Sequence, residues 1–569
     1  MTGRALRRGC IIAAVYALLA GVLLAPLVLQ LGSVVPGAPR SDVWNSLWSY
    51  WFVADSLSSG ELPWHTKLLD HPRGGVLFVA DPLGALLAFP FVRWWGVAGA
   101  YGLVVWFRIG LLGTVTHWLA EEIREQPTGD PWVPAVAGVS MMTSAVVVSG
   151  LHNGTSEALA LAPIVLASAT AMRAIRTGCL WWGLGSALML IVSTLASGYA
   201  AVLAFVFVGS LTLFVPRRRS MREELRVRIG IIGLGLAGAL PLAMAVVRAA
   251  SAPGNLVGIK HSMELSLVRR TTGPADPWVY FRGFDFRSPD FRAISRYGED
   301  FIHCTYIGWV LLAVVAMGVW TRREHLRSVR WIWVAGGVTF LLSLGPVIVH
   351  EGLAWVFLDD RVWPMPYLLL ERLPGLGSLS LLWRLGAGPA LGGALLAAWS
   401  LQGRKPVWAI TTVLLVMFEA LWVAPTGGMP AFTDARVHSA LVALRDAPPG
   451  AVLNHPVVGG RAYLHEQTTH GMPLAARLNF PNNGVGKAVW EAARRSTAMD
   501  DVEGRKAVQA TAEQMGVRYV VLHEDPLAAP DMYDHAAEVL RRRFPALPSG
   551  GPRAHQGPLA EDVVVLRLF

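Results

Sequence analysis

Residues 11–31 read IIAAVYALLAGVLLAPLVLQL, an apolar run that follows three arginines, Arg4, Arg7 and Arg8. A helix needs about 20 apolar residues to cross the hydrocarbon core of a bilayer, whereas the apolar region of a signal peptide has only about 7–15. No convincing small-residue cleavage site follows the run. It therefore predicts a first transmembrane helix that is not cleaved.

Similar apolar segments recur along the next four hundred or so residues. They contain few polar residues and show no period-2 alternation, which favours helices over barrel strands. The further segments are 98–119, 132–148, 157–172, 180–196, 199–215, 229–247, 304–320, 331–349, 382–401 and 407–423. Only 15% of all residues are charged, against about 25% in soluble proteins. The sequence predicts a polytopic α-helical membrane protein with about 11 spans.

Arginine clusters flank these segments and indicate which ends face the cytoplasm. They lie at the N-terminus and at 173–176, 217–228, 322–330 and 404–405, as the positive-inside rule expects. This places the loops 32–97, 248–303 and 350–381 on the outer face of a bacterial inner membrane. The short apolar stretch 83–92 is predicted to lie at the interface rather than to span.

The net charge of +10 could suggest a nucleic-acid partner, but its distribution argues against one. The positive charge lies in the clusters that flank the spans. Basic stripes with interleaved aromatic residues, which nucleic-acid-binding proteins carry, are absent from the sequence. We therefore expect a membrane-lipid partner and no nucleic-acid partner.

The last part of the chain has a different composition. Short β-type runs at 451–453, 519–522 and 563–566 alternate with helical stretches at 502–515 and 532–543. Gly516 stands between the first of these helices and a strand, which is typical of an αβ unit. We predict two domains: a transmembrane domain, 1–427, and a soluble α/β domain, 428–569, on the outer face.

The most informative outer segment begins SDVWNSLWSYW at residue 41. Trp44, Trp48 and Trp51 have spacings of four and three, which place their rings on one face of a helix. We interpret this as an amphipathic helix at the membrane interface with Asp42 at its start. Asp42 could simply cap that helix, because Ser and Asp are good N-cap residues.

A first span, an outer loop that opens with an acid, many further spans and an outer C-terminal domain resemble the GT-C superfamily of glycosyltransferases. The resemblance is greatest to its bacterial integral-membrane branch, which uses polyprenyl-phosphate sugars. It implies that Asp42 is the catalytic base and that the acceptor is a glycan, a lipid or a protein. Many members have a second acid after the first, but here Val43 follows Asp42. A divalent cation is therefore a possible cofactor without an assigned ligand.

Candidate substrate-binding residues surround this loop and the outer ends of the spans. An arginine near the outer end of a span could stabilise the departing lipid phosphate or could extend to the interface, and Arg384 fits both. Glu157 could bind substrate, or its carboxylate could simply be stabilised by the positive N-terminal end of a helix dipole. The full set of candidates is Trp44, Asn45, His71, Arg73, Asp81, His152, Glu157, Arg282, Arg296, Arg372 and Arg384.

Two other functional classes compete with glycosyl transfer. A transporter or flippase usually carries ionisable residues near the membrane midplane, and these spans have few, with Glu419 towards the outer end of its own. A non-catalytic scaffold of the same fold in cell-envelope polysaccharide assembly is the other alternative.

Overall fold

Apolar helices form most of this protein, whose structure is a computed structural model. It describes residues 3–124, 130–215, 221–256, 266–282, 301–357, 361–373, 375–424, 430–455, 461–478, 483–524, 535–547 and 562–569. The apolar helices are Gly3–Leu23, Ala25–Leu29, Pro82–Ile123, Trp132–Met142, Ala145–His152, Ala162–Thr177, Leu180–Ala196, Gly198–Phe214, Met221–Ser251, Trp309–Thr321, Leu326–Ser343, Ala387–Ser400 and Pro406–Trp422.

Each predicted span overlaps one or two of the helical segments, but residues 304–308 and 344–349 of two predicted spans lie outside the helices. Within the described residues, five helical segments are long and apolar enough to cross a membrane. Four more apolar helices are shorter, at Leu180–Ala196, Gly198–Phe214, Trp309–Thr321 and Pro406–Trp422. The fold class of a polytopic helical membrane protein is confirmed, and the number of crossings stays a prediction.

The stretch 83–92 belongs to the first half of a kinked helix, Pro82–Ile123. Gly96 interrupts this helix with a φ of 66° and a ψ of 175°, a left-handed conformation that glycine adopts without steric strain. Asp81 caps the helix, since its carboxylate accepts from the backbone N–H of Gly84 at 2.9 Å. The apolar stretch is therefore separated from the predicted span 98–119 by a change of direction.

The predicted cytoplasmic segments meet at one end of the helical region. Arg8 pairs with Glu121, Arg173 pairs with Glu122 at 2.9 Å, and Arg330 donates to the carbonyl of Phe214. The acidic residues at 121–122 thus lie beside arginines from two clusters. The arrangement of segments agrees with the predicted topology, and the positive-inside rule supplies the expected orientation.

A buried carboxylate joins two of the helices near the opposite end. Glu419 accepts from the Tyr306 hydroxyl at 2.7 Å and from the backbone N–H groups of Trp309 and Val310 at 2.6 and 3.1 Å. Its carboxylate therefore accepts hydrogen bonds from backbone N–H groups at the N-terminus of the helix Trp309–Thr321, which have no acceptor within the helix. These hydrogen bonds give Glu419 a structural role. Its presence in a span is therefore only a weak argument that the protein is a transporter.

The outer segments contain short helices and strands. The helices are Val43–Ser58, Tyr367–Leu370, Ser439–Val442, Ala462–His470, Gly484–Ser496, Asp501–Met515 and His535–Arg543, with 3-10 turns at Ser156–Leu159, Pro277–Tyr280, Leu376–Ser378, Leu382–Gly386 and Ala443–Asp446. The strands are Val34–Pro36, His65–Thr66, Gly75–Val76, Val349–His350, Leu353–Ala354, Val356–Phe357, Arg361–Val362, Phe432–Asp434, Ala451–His455, Val517–Glu524 and Asp562–Arg567.

Three of these strands form a mixed sheet near the C-terminus. Val517–Glu524 lies in the centre, pairing in parallel with Ala451–His455 and antiparallel with Asp562–Arg567. Gly516, with a φ of 70°, ends the preceding helix as predicted. The predicted strand runs lie within these strands, while part of the predicted helix 532–543 lies outside the described residues and the rest forms His535–Arg543.

The region after residue 427 is tied closely to the first outer loop. The strand Val34–Pro36 pairs antiparallel with Phe432–Asp434, and side chains from both regions share one hydrophobic core. A strand pair therefore crosses the predicted boundary at 427/428, and the separate domain 428–569 stays a prediction.

Candidate functional site

The helix Val43–Ser58, here called the loop helix, begins directly after Asp42, but the Asp42 side chain makes no capping hydrogen bond. The Ser41 hydroxyl instead accepts from the backbone N–H of Val43 at 3.4 Å. The simple capping role for the Asp42 carboxylate is therefore wrong, and this group is available for other contacts.

The loop helix is packed inside the protein. Trp44 and Trp48 are fully buried, and so is most of the first two turns. The prediction of a helix from the tryptophan spacing is therefore right, but the predicted location of this helix at the membrane interface is wrong. The aromatic face packs against protein, because the C-terminal region covers it.

A tight turn at residues 152–157 fixes the start of the loop helix. The backbone N–H of Asp42 donates to the carbonyl of Asn153 at 3.0 Å, and the Ser46 hydroxyl donates to the carbonyl of Gly154 at 2.8 Å. Gly154 has a φ of 61°, and a Cβ atom there would lie 2.4 Å from the Val43 nitrogen. The close approach therefore requires glycine.

Glu157 and Arg384 form an ion pair next to this turn. Arg384 Nη1 donates to Glu157 Oε1 at 2.8 Å, and the two side chains are 10% and 12% exposed. The Arg384 guanidinium also lies over the Tyr199 ring, 5.2 Å from its centroid. Arg384 is therefore held inside the protein rather than extended to the interface, and charges of this kind are costly to bury without a partner.

Asp42 lies within electrostatic range of this pair, interacting with both Glu157 and Arg384. Its carboxylate also forms an ion pair with Arg461, and both side chains are about one-fifth exposed, at 23% and 20%. Asp42, Glu157, Arg384 and Arg461 together form what we call the acid–arginine cluster. It brings two carboxylates and two guanidinium groups together at a partly open end of the helical region, which is the predicted outer end.

His303 adjoins the cluster and carries no charge at neutral pH. Burial, aided by the positive charge of Arg384 and opposed by the hydrogen bond to the Thr272 carbonyl, lowers the pKa of its imidazole to about 4. The ring stacks on Trp383 with centroids 4.7 Å apart, and its Nδ1 lies 3.0 Å from the Thr272 carbonyl. The sequence analysis did not select His303, because its position before an apolar segment gives no sign of this contact.

Arg461 was also missed, and it comes from the C-terminal region. It has a φ of 71°, unusual for a residue other than glycine, and it precedes the helix Ala462–His470. Such backbone conformations persist where the surrounding structure fixes them and are frequent at functional sites. Its ion pair with Asp42 links residues that are 419 positions apart, a relation that no local sequence pattern reveals.

The helix Ala462–His470 holds Arg461 by packing on the loop helix. Trp48 Nε1 donates to Gln467 Oε1 at 2.6 Å, and the Gln467 amide nitrogen donates to the carbonyls of Leu68 and Met472 at 2.8 Å each. The His465 ring stacks on Trp44 with centroids 5.2 Å apart. Both partners of the Asp42–Arg461 pair are therefore positioned by buried contacts.

Comparison with solved structures identifies this architecture. The arabinofuranosyltransferase AftD from Mycobacteria, in a mutant form, matches 99% of this chain and 41% of its own with a TM-score of 0.53 and 15% identity. The chain has the fold of the GT-C glycosyltransferases. The resemblance inferred from the sequence is thus confirmed for the fold, and this chain spans less than half the length of AftD.

Two further structures are similar to this chain at 12% identity. They are the oligosaccharyltransferase AglB from Archaeoglobus fulgidus, with a TM-score of 0.49 over 90% of this chain and 69% of its own, and ArnT from Cupriavidus metallidurans, with 0.48 over 100% and 99%. No family model and no curated protein matches the sequence.

The remaining candidates in the first loop make different kinds of contact. Trp44 Nε1 donates to the Pro39 carbonyl at 2.7 Å, while Asn45 is buried with its Oδ1 lacking a hydrogen-bond partner. His71 is half-buried, and burial lowers its pKa. Arg73 is exposed. None of these contacts joins the acid–arginine cluster directly, and their roles in substrate binding stay predictions.

Asp81 is surrounded by hydrogen-bond donors of the protein itself. It is fully buried and receives hydrogen bonds from both terminal nitrogens of Arg108 at 2.7 and 2.9 Å and from the Tyr50 hydroxyl at 2.8 Å. With the Gly84 N–H as well, its acceptor capacity is largely used. Substrate contact by Asp81 is not supported, because the carboxylate joins the loop helix to the kinked helix.

The other arginines and His152 lie apart from the contacts described above. Arg282 and Arg372 are exposed, His152 is half-buried beside the turn, and Arg296 lies outside the described residues. Among the described residues, no three His, Cys, Asp or Glu side chains lie together as a metal site requires.

Acidification should weaken the attachment of the helix Ala462–His470. Burial lowers the pKa of His470 from 6.5 to about 4, so the unfolded region takes up this proton first as the pH falls below 6.5. Burial of the neutral imidazole is therefore compatible with full stability above pH 6.5. Below that pH the free energy of unfolding decreases until the pH reaches about 4. The expected loss is about 2 kcal/mol between pH 7.5 and pH 5.

Thermal melting of the purified protein at these two pH values measures this effect. His470→Asn, which keeps an acceptor for the Met472 N–H, should reduce the difference in melting temperature. His535→Asn is the matched control, because that histidine is exposed. Equal pH sensitivity in wild type and His470→Asn would contradict the prediction.

Proposed function

We propose that this chain transfers a sugar from a polyprenyl-phosphate donor in the membrane to an acceptor on the outer face. One observation carries the proposal: the Asp42 carboxylate lies within electrostatic range of the buried Arg384–Glu157 pair. A carboxylate that can accept a proton and cations that can bind a phosphate are the groups that this reaction needs. The GT-C fold is consistent with this chemistry but does not establish it.

The proposed step is a displacement at the anomeric carbon, in which one bond forms as another breaks. An acceptor hydroxyl attacks that carbon, Asp42 takes the hydroxyl proton, and the bond from the anomeric carbon to the phosphate oxygen breaks. The phosphate oxygen leaves with the bonding electron pair, and Arg384 and Arg461 stabilise its negative charge. Attack opposite the leaving group inverts the configuration at the anomeric carbon.

The two ion pairs must partly exchange partners during this step. In the cluster as described, the two carboxylates balance the two guanidinium groups. An incoming phosphate adds negative charge, so Arg461 turns from Asp42 to the phosphate. Asp42, which then lacks this counter-ion, becomes a stronger base and is neutralised when it takes the proton of the acceptor. The exposure of this pair, about one-fifth of each side chain, gives the space for such a change.

The localisation and the partners follow from the same proposal. The protein would act in a bacterial inner membrane with the cluster and the C-terminal region outside. The donor would reach the cluster from the bilayer, and the acceptor, a glycan, a lipid or a protein, would reach it from the aqueous side beside the C-terminal region.

A transfer assay tests the proposal directly. The protein in lipid nanodiscs is mixed with a panel of labelled polyprenyl-phosphate sugars that includes an arabinofuranosyl donor, and with cell-envelope glycan and lipid fractions as acceptors. We expect labelled acceptor and free polyprenyl phosphate in equal amounts. Translocation of an intact donor across liposomes, without cleavage, would support a flippase instead. Donor binding without either reaction would support a scaffold.

Arg384 should contribute strongly to binding of the lipid phosphate. A hydrogen bond from a charged donor is worth about 1.5–3 kcal/mol, so Arg384→Gln should weaken undecaprenyl-phosphate binding by about 10-fold or more. The measurement is a titration of undecaprenyl phosphate into nanodisc-embedded protein. Arg404→Gln, an exposed arginine at the opposite end of the helical region, serves as the control and should bind normally.

Because Arg384→Gln leaves Glu157 without its ion-pair partner, the double variant Glu157→Gln/Arg384→Gln is measured alongside it. It removes both charges and keeps the side-chain sizes similar. Weak binding in both variants with normal melting temperatures supports the assigned role. Wild-type affinity in the folded double variant would contradict it.

A further inference from the structure

An exposed apolar surface occupies the outer segment between the helices Leu326–Ser343 and Ala387–Ser400. Two short hairpins and one helical turn present large apolar side chains outward, several of them more than half exposed. We call this the hairpin surface, and its members are Leu353 at 71%, Trp355 at 37%, Val356 at 49%, Val362 at 45%, Trp363 at 58%, Leu369 at 71% and Leu373 at 50% exposure. Contiguous apolar exposure of this kind marks an interaction surface.

The backbone beneath this surface is fixed by hydrogen bonds. The Trp355 N–H donates to the Ile348 carbonyl at 2.8 Å, and the Met365 N–H donates to the Pro346 carbonyl at 2.9 Å. Tyr367 is buried, and its hydroxyl donates to the Leu376 carbonyl at 2.6 Å. The inward residues thus hold the segment in place, while the apolar side chains of the hairpin surface point outward.

Most charged side chains follow the same division, and Glu351, an acid in the first hairpin that is 52% exposed, is an exception. The acids at the base of the segment are paired inward: Asp276 with His350 at 2.9 Å, and Glu371 with Arg270 at 2.7 Å. Arg361 and Arg372, in contrast, are exposed beside the apolar side chains. The outward face therefore combines tryptophan, aliphatic side chains and cations, the composition that is enriched where proteins meet phospholipid headgroups.

The surface also continues from a helix that is expected to face lipid. Trp333, Val338 and Leu341, on the helix Leu326–Ser343, are 42%, 38% and 42% exposed, and the hairpins begin six residues after this helix ends, at Val349. A protein partner would have to displace lipid from this helix or bind only part of the apolar area. The bilayer covers the whole area without rearrangement.

We propose that the hairpin surface inserts into the headgroup region of the outer leaflet, with Trp363 and Leu369 at the acyl-chain boundary and Arg361 and Arg372 on lipid phosphates. This assigns to the described part of the loop 350–381, which is predicted from the sequence to lie on the outer face, a monotopic contact with the membrane. It also gives Arg372 a lipid-headgroup contact independent of sugar transfer.

The test uses single labelled cysteines in vesicles that contain phosphatidylcholine and phosphatidylglycerol. In a Cys10→Ser/Cys179→Ser background, with the buried Cys304 retained, Trp363→Cys and Leu369→Cys are each labelled with an environment-sensitive fluorophore. Val502→Cys is the matched control, because Val502 is 64% exposed on a helix of the C-terminal region. The vesicles carry bromine atoms on their acyl chains as a short-range quencher.

We expect brominated lipid to reduce fluorescence at 363 and 369 by about twofold or more and to leave 502 unchanged, as shallow insertion of about 5–10 Å predicts. Equal quenching by aqueous iodide at all three positions would overturn the proposal. Protection from both quenchers, with disulfide formation between copies of the unlabelled Trp363→Cys variant, would overturn it in favour of a second copy of the chain. Melting temperatures verify that each variant is folded.

Discussion

Replacing Asp42 by asparagine should lower the rate of sugar transfer by about 10²–10⁴-fold, the usual contribution of a general base. The amide is nearly the same size as the carboxylate but cannot accept the hydroxyl proton of the acceptor. Binding of undecaprenyl phosphate should remain close to wild type, because Arg384 keeps its partner Glu157. A fall in rate with unchanged donor binding distinguishes a catalytic role from a structural one.

The control for this variant lies on the same helix. Asp55→Asn changes an exposed carboxylate of the loop helix and should transfer sugar at the wild-type rate. The comparison uses labelled donor and initial rates at saturating acceptor, with melting temperatures for both variants. If Asp42→Asn retained wild-type activity, Asp42 would be removed from the mechanism and the proposed reaction would lose its base.

Replacing Arg108 by methionine should prevent stable folding. Arg108 is 3% exposed and is the ion-pair partner of the fully buried Asp81, so its loss leaves a buried charge without compensation. Breaking a buried pair in this way costs about 3–5 kcal/mol. Arg108 also donates to the Ser156 carbonyl at 2.7 Å, so the turn that supports Asp42 would lose a contact as well.

The measurement is the yield of monodisperse protein after detergent extraction, followed by thermal melting. Lys405→Met, an exposed cation at the opposite end of the helical region, should behave as wild type. The double variant Arg108→Gln/Asp81→Asn removes both charges while keeping polar groups, and it should recover much of the yield. A normal melting temperature in Arg108→Met would show that this ion pair does not hold the loop helix in place.

Local patterns predicted the helical parts of this protein because membrane insertion constrains them strongly. Apolar runs located the helices, and Gly516 located the boundary between the helix Asp501–Met515 and the strand Val517–Glu524. The periodicity of Trp44, Trp48 and Trp51 predicted the loop helix but not its surroundings. An aromatic stripe is suited to lipid or to protein, and only tertiary packing decides which.

The candidate site could be predicted only in part. Asp42 was selected because of the resemblance to GT-C glycosyltransferases, and Glu157 because it starts a helix at a tight turn between two spans. Arg384 was selected because a charge near the end of a span is unfavourable without a partner. Arg461 and His303 were not, because their significance depends on contacts across the chain, such as the Arg461–Asp42 pair. The buried contacts of Asp81 could not be foreseen for the same reason: the local sequence gives no sign that Arg108, 27 positions later in the kinked helix, is its counter-ion.

The strand pair between Val34–Pro36 and Phe432–Asp434 has a consequence for biogenesis. During translation the first loop leaves the ribosome long before its partner strand, so the two ends can meet only after the final apolar helix has been inserted. Until then Asp42 lacks its arginine from the C-terminal region. A nascent chain therefore gains its complete acid–arginine cluster as one of the last events of its assembly, when insertion into the bilayer is already finished.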